Sequence, residues 1–230
     1  MSLILLIFAG LMAAISWWPG VWVTRVMAQH RAPADRYPFS GADLARYLLD
    51  QAGLTAVTVE RTPEGDHYDP HTRSVRLSAA NFSGQSLTAI TVAAHEVGHA
   101  LQHAEGDAAF ARRQEMVERS AWAQKVAGWI LLAIPVITVL EKQPAPALVL
   151  LLVGVLSMLV PLFAQLANLP IELDASFNRA LPLLERGGWL ARGQEKRAAR
   201  QILRAAAFTY VAQALGSILN IFKWLRGLKP

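Results

Sequence analysis

The chain contains no cysteine. That excludes disulfides and thiolate metal centres, so any metal must be held by histidine and carboxylate. Charge is scarce too: 17% of the 230 residues are Asp, Glu, Lys or Arg, against 53% hydrophobic. A soluble domain carries about a quarter charged residues, so this balance suits a membrane protein. No Lys or Arg precedes the first apolar run and no small-residue cleavage site closes it, which disfavours a cleaved signal peptide. The basic residues behind the net charge of +5 do not interleave with aromatics as a base-stacking surface requires. Nucleic acid is not an expected partner.

What is present is a strong local motif. Ala93-Ala94-His95-Glu96-Val97-Gly98-His99-Ala100-Leu101-Gln102 holds His-Glu-x-x-His in a run of helical composition. At about 3.6 residues per turn, His95 and His99 share one helix face. Their imidazoles can then grip one tetrahedral Zn²⁺ at about 2.0–2.1 Å each. Glu96 points about 100° round the helix, where its carboxylate can take a proton from a water on the metal and pass it to a leaving amine. On a polar surface helix the same spacing arises by chance. Here the flanks are apolar, and two histidines and a glutamate in a buried helix are costly without a metal.

Around the motif the chain reads as a mainly α membrane protein with a small β-hairpin. The apolar run 3–23, with Trp17, Trp18 and Trp22 at its far end, predicts a transmembrane anchor over residues 1–25. Arg25, Arg31 and Arg36 follow it and place the next segment in the cytoplasm. Residues 26–121 form the first part of a cytoplasmic catalytic domain. In it Ser40 caps a helix ended by Gly53, strands fall near 56–61 and 74–78, and Ser86 caps the motif helix, which runs to about His103. Residues 74–78 are expected to form an edge strand able to pair with an extended substrate. Residues 122–167 predict a transmembrane helical hairpin with its turn at 141–144, and residues 168–204 a second catalytic part whose helix starts near Pro170. Residues 205–230 read as a transmembrane or interfacial helix carrying the polar stripe Thr209, Gln213, Gly216, Ser217 and Asn220.

A catalytic zinc site takes three protein ligands and leaves one position open. His67, His71, His103, Glu105, Glu172 and Asp174 are the candidates for the third. Glu172 is favoured, because it opens a segment just after the returning span, on the same side of the membrane as His95 and His99. Asp174 lies about 200° round the helix from Glu172, so it is placed behind a ligand imidazole rather than on the metal.

Several motifs together carry a family resemblance: Asp66-His67-Tyr68-Asp69-Pro70, Val75-Arg76-Leu77-Ser78, the His95 motif, Leu169-Pro170-Ile171-Glu172-Leu173-Asp174-Ala175-Ser176, and Ala205-Ala206-Ala207-Phe208-Thr209-Tyr210-Val211-Ala212. The chain resembles the bacterial membrane-bound neutral zinc metallopeptidases of YugP type over nearly its whole length. The resemblance implies a zincin-like, gluzincin-like catalytic domain interrupted by the transmembrane hairpin. In it His95, His99 and Glu172 bind Zn²⁺ and Glu96 is the base. More distantly the chain is similar to heat-shock and CAAX-processing membrane peptidases. Those carry Asp four residues after the ligand Glu, where this chain has Ser176; Asp174 or Ser176 is then the partner behind a ligand histidine. His67, Tyr68 and Tyr210 are candidate oxyanion donors.

The expected activity is zinc-dependent peptide hydrolysis. Its substrates would be proteins or peptides associated with the lipid bilayer. Its location would be a bacterial inner membrane, as a multi-pass protein with the site facing the cytoplasm near the membrane surface. A zinc-binding membrane scaffold without hydrolytic activity is the alternative. A metal transporter is disfavoured, since neither hairpin span contains His, Asp or Glu.

Overall fold

The computed structural model describes residues 3–141, 144–190 and 193–227. Two compact units emerge: residues 1–19, 112–168 and 210–230 in one, residues 20–111 and 169–209 in the other. The second unit carries every residue of the His-Glu-x-x-His motif and Glu172.

In that unit, α2 (Gly41–Gln51; α1 is Leu3–Gln29) begins at a full capping box. The Ser40 hydroxyl accepts from the Asp43 amide, and the Asp43 carboxylate accepts from the Ser40 amide in return. Gly53, at φ +73°, ends the helix in the left-handed region that glycine enters without steric cost. Three short strands follow, β1 (Thr58–Arg61), β2 (His67–Asp69) and β3 (Ser74–Leu77), in the order β1-β3-β2. β3 lies parallel to β1, with Thr58 opposite Ser74, and antiparallel to β2, with Tyr68 opposite Val75. A short α3 (Ala79–Phe82) leads to α4 (Leu87–Ala104), which Ser86 caps by accepting from the Ala89 amide.

Two expectations change at this point. The β part is a mixed three-stranded sheet, not a hairpin, because the turn expected at 66–70 contributes β2. And β3 is the central strand. Both of its hydrogen-bonding edges are taken, so it cannot accept a substrate strand.

α5 (Ala108–Glu141) starts where the Asp107 carboxylate accepts from the amides of Ala109 and Phe110. α6 (Pro144–Leu173) runs straight through Pro170, so no new helix begins at 168. It passes into a π-helical segment, Asp174–Ala180, then α7 (Leu181–Arg186) and α8 (Gly193–Gly227). The core of the second unit gathers Leu44, Leu49, Leu77, Ile90, Val97, Leu184, Ile202 and Leu203, all at most 2% exposed, around α4. α4 is therefore the buried central helix, wrapped by α2, the sheet and the π segment.

Among the described residues, no helix is long and apolar enough to cross a membrane. This corrects the transmembrane anchor at 1–25, the hairpin at 122–167 and the multi-pass arrangement. Crossing needs about 20 consecutive apolar residues. α5 opens through Arg112, Arg113, Glu115, Glu118 and Arg119, and α8 through Glu195, Lys196, Arg197, Arg200 and Arg204, which shortens the apolar part of those two helices. The topological reason for choosing Glu172 falls with the hairpin. The turn expected at 141–144 includes residues 142 and 143, outside the described residues, as are the side chains of Gln213, Gly216, Ser217 and Asn220.

Candidate active site

α4 sets His95 and His99 one turn apart with ring centroids 4.8 Å from each other. Glu172, the penultimate residue of α6, meets both: its Oε2 lies 3.2 Å from each Nε2. The three residues are 4%, 4% and 1% exposed. Burial pushes the Glu172 carboxyl upward. The His99 and His95 imidazoles beside it outweigh that and hold it well below the ordinary carboxylate range.

The approach of the two helices is made by a glycine. A Cβ on Gly98 would stand 2.7 Å from the carbonyl oxygen of Ala175, so only glycine allows the main chain of the π segment to lie directly on α4. That contact falls between His95 and His99 on one side and between Glu172 and Ser176 on the other.

Outer partners hold both imidazoles. Ser176 Oγ is 3.1 Å from His95 Nδ1 and 3.4 Å from the Leu203 carbonyl oxygen. Gln102 Oε1 is 2.9 Å from His99 Nδ1. Gln102 Nε2 donates to the Ile171 carbonyl at 3.0 Å and to Asp174 Oδ2 at 2.8 Å. Asp174 thus reaches an imidazole at one remove, through Gln102. Burial raises its carboxyl, but hydrogen bonds from Arg179, Asn178 and Gln102 prevail and keep it below the usual range. The Arg179 contact depends on the π turn. Residues five apart lie about 140° apart on an α-helix, whereas the wider i to i+5 turn brings Arg179 Nε within 2.8 Å of Asp174 Oδ2. Arg179 also pairs with Glu105 at 2.8 Å, just past the end of α4.

The remaining sequence candidates fall elsewhere. Glu96 is buried on α4 beside His95, 5% exposed. His67 Nδ1 donates to the Gly65 carbonyl. The Tyr68 hydroxyl is 2.8 Å from His103 Nδ1. Burial raises the Tyr68 phenol, and burial, with the charges of Arg73 and His71, lowers His103. His103 also stacks on Phe110, whose ring lies 6.1 Å from that of His99. His71 is exposed at the turn between β2 and β3. Tyr210 belongs to the other unit, where its hydroxyl accepts from Arg113 at 2.7 Å.

Gln102, Arg179 and Gly98 were not singled out by sequence reasoning. Gln102 had a usable signal, a polar residue one turn beyond His99 in an apolar helix. So did Gly98, since a helix-interior glycine costs about 1 kcal/mol against alanine and needs a packing reason. Arg179 had none, because the π turn that delivers it leaves no mark in the composition.

Two nitrogens and one carboxylate oxygen are the donors zinc takes. Atoms held about 2.0–2.1 Å from one tetrahedral ion stand roughly 3.3 Å apart, which the 3.2 Å separations match, and all three donors lie within 4.8 Å of one another. The residues fit such an ion.

Comparison with known proteins agrees with this chemistry. The sequence is similar to the "Putative membrane protease YugP" of Bacillus subtilis (strain 168), 38% identical over 188 residues, covering 81% of this chain and 79% of that protein. No solved structure matches. The family described as "putative neutral zinc metallopeptidase" matches residues 4–229, from the first helix to the last, and the chain belongs to that family.

Proposed function

We propose that the protein is a zinc-dependent endopeptidase. The observation that carries the reading is the convergence of His95 Nε2, His99 Nε2 and Glu172 Oε2 at one buried point, with Glu96 next to His95 on the same helix. Zinc held there would polarise a peptide carbonyl and bring the pKa of a water close to neutrality. Glu96 accepts the proton of the attacking water as the C–O bond forms, and gives it to the amide nitrogen as the C–N bond breaks. His95, His99 and Glu172, themselves buried, would hold the ion.

The substrates on this reading are proteins or peptides presented at a lipid surface. Two observations support it: the membrane protease named among the relatives, and the apolar groups that the first unit leaves uncovered. Trp17, Trp18, Trp122, Trp129, Leu132 and Phe163 are each more than 60% exposed.

The test is Glu96→Gln. Turnover of a quenched peptide should fall by at least about 10²-fold, the lower end of what a general base contributes, with zinc retained at one equivalent. Retained turnover would sink the enzyme reading. An inactive wild type that holds zinc would point to the scaffold alternative. Tethering the same peptide to vesicles should raise its cleavage rate; equal rates would remove the lipid-surface proposal.

A further inference from the structure

We infer that Gln102 is the positioning residue that sets His99 for the metal, and that Asp174 acts on the site only through it. The inference rests on the metal site of the proposed peptidase.

The Gln102 side chain is 1% exposed and lies between three groups: the Ile171 carbonyl at 3.0 Å, Asp174 Oδ2 at 2.8 Å and His99 Nδ1 at 2.9 Å. Two of these have no choice of role. A backbone carbonyl can only accept, and the Asp174 carboxylate, in contact with the Arg179 guanidinium, is ionised and also only accepts. Both lie on one side of the amide, so that side must carry the NH₂, and both of its hydrogens are then used. Turning the amide over would set its oxygen against two acceptors. The carbonyl oxygen therefore faces His99, whose Nδ1 must bear the proton, and the lone pair is left on Nε2.

His95 is set by the same logic. The Leu203 carbonyl takes the Ser176 hydroxyl proton, leaving the oxygen to accept from His95 Nδ1. Two Nε2 lone pairs thus face one carboxylate oxygen, each about 3.2 Å from it. That gathering of acceptors is favourable around a cation. Because Gln102 lies on α4 while Ile171 and Asp174 flank Glu172, one amide both fixes the tautomer of a ligand and ties together the two segments that supply the ligands. The negative charge of Asp174 reaches His99 along the polarised amide.

The experiment measures zinc affinity by chelator competition and the visible spectrum of the Co²⁺-loaded protein, together with the melting temperature of the metal-free protein. It uses the full chain as wild type, Gln102→Met, Asp174→Asn and the double variant. Methionine keeps the length and volume of the side chain but offers no amide. We expect Gln102→Met to weaken zinc 10–100-fold, the usual loss when a ligand's outer partner is removed, and to displace the Co²⁺ bands. Asp174→Asn should weaken zinc by a smaller factor, and should cost nothing more in the Gln102→Met background. If Gln102→Met does not fold, Asp174→Ala is the second probe, at a partly exposed position. It should still weaken zinc several-fold, and unchanged affinity there overturns the inference. A lowered melting temperature with zinc affinity within twofold of wild type overturns it, as do additive effects of the two substitutions. A wild type that fails to bind zinc overturns the metal site itself, an outcome distinct from the other three.

Discussion

Ser176 holds His95 with a neutral hydroxyl, while Gln102 holds His99 with an amide that leans on a carboxylate. The two imidazoles are therefore polarised unequally. Ser176→Ala removes an acceptor from a fully buried site and is expected to weaken zinc about tenfold, read by competition with a chelator. Tyr68 is a case where magnitude decides. Losing an oxyanion donor costs about 10²–10³ in turnover. The Tyr68 hydroxyl is already hydrogen-bonded to His103, so Tyr68→Phe should lower kcat less than about threefold; a hundredfold loss would show that the phenol turns toward the substrate. Asp174 gives a pH signature. Its folded-state pKa is depressed, so its stabilisation is complete above the unfolded value of about 3.9 and is lost as pH falls through the lower folded value. Urea midpoints measured between about pH 5 and pH 2 should fall less steeply in Asp174→Asn than in wild type.

At the scale of elements, the pairing of α4 with the π segment decides the site. Gly98→Ala gains about 1 kcal/mol of helix propensity but forces a methyl group into the Ala175 carbonyl, where overpacking costs about 1–3 kcal/mol. Net destabilisation is expected, with zinc affinity falling further than the melting temperature alone suggests, since Glu172 moves with the segment. The elements differed in how far they could be read beforehand. α4 was legible to within a residue or two because Ser86 marks its start and His95, Glu96 and His99 mark its face. β2 was not, since Asp66-His67-Tyr68-Asp69-Pro70 has turn composition and becomes a strand only through pairing with β3. Nor was the sheet order, which short strands of similar composition do not encode. Pro170 suggested a helix start because proline favours the first turn. Inside α6 it removes one hydrogen bond and crowds the preceding turn, yet the helix continues through it to Leu173. Gln102 looked like the tail of a motif, because its role needs three partners, two of them about seventy residues away.

For the molecule as a whole, a low charge content led to an expectation of spanning helices that the described residues do not meet. Metal should matter globally, because the ion joins segments far apart in sequence. At free zinc a thousandfold above its Kd the folded state gains about 4 kcal/mol. Chelation should therefore lower the melting temperature of wild type by several degrees, and leave Glu172→Gln nearly unmoved. The glycine contact bears on which ion is chosen. Where two main chains touch, neither side can yield by changing rotamer, so the backbones that carry His99 and Glu172 keep a fixed spacing there. A larger cation such as Ca²⁺, which prefers six to eight oxygens at about 2.3–2.6 Å, would have to prise the backbones apart. Zinc is therefore expected to be held in preference to the larger ion, and ready displacement by Ca²⁺ would show that side chains rather than backbones set the size of the site.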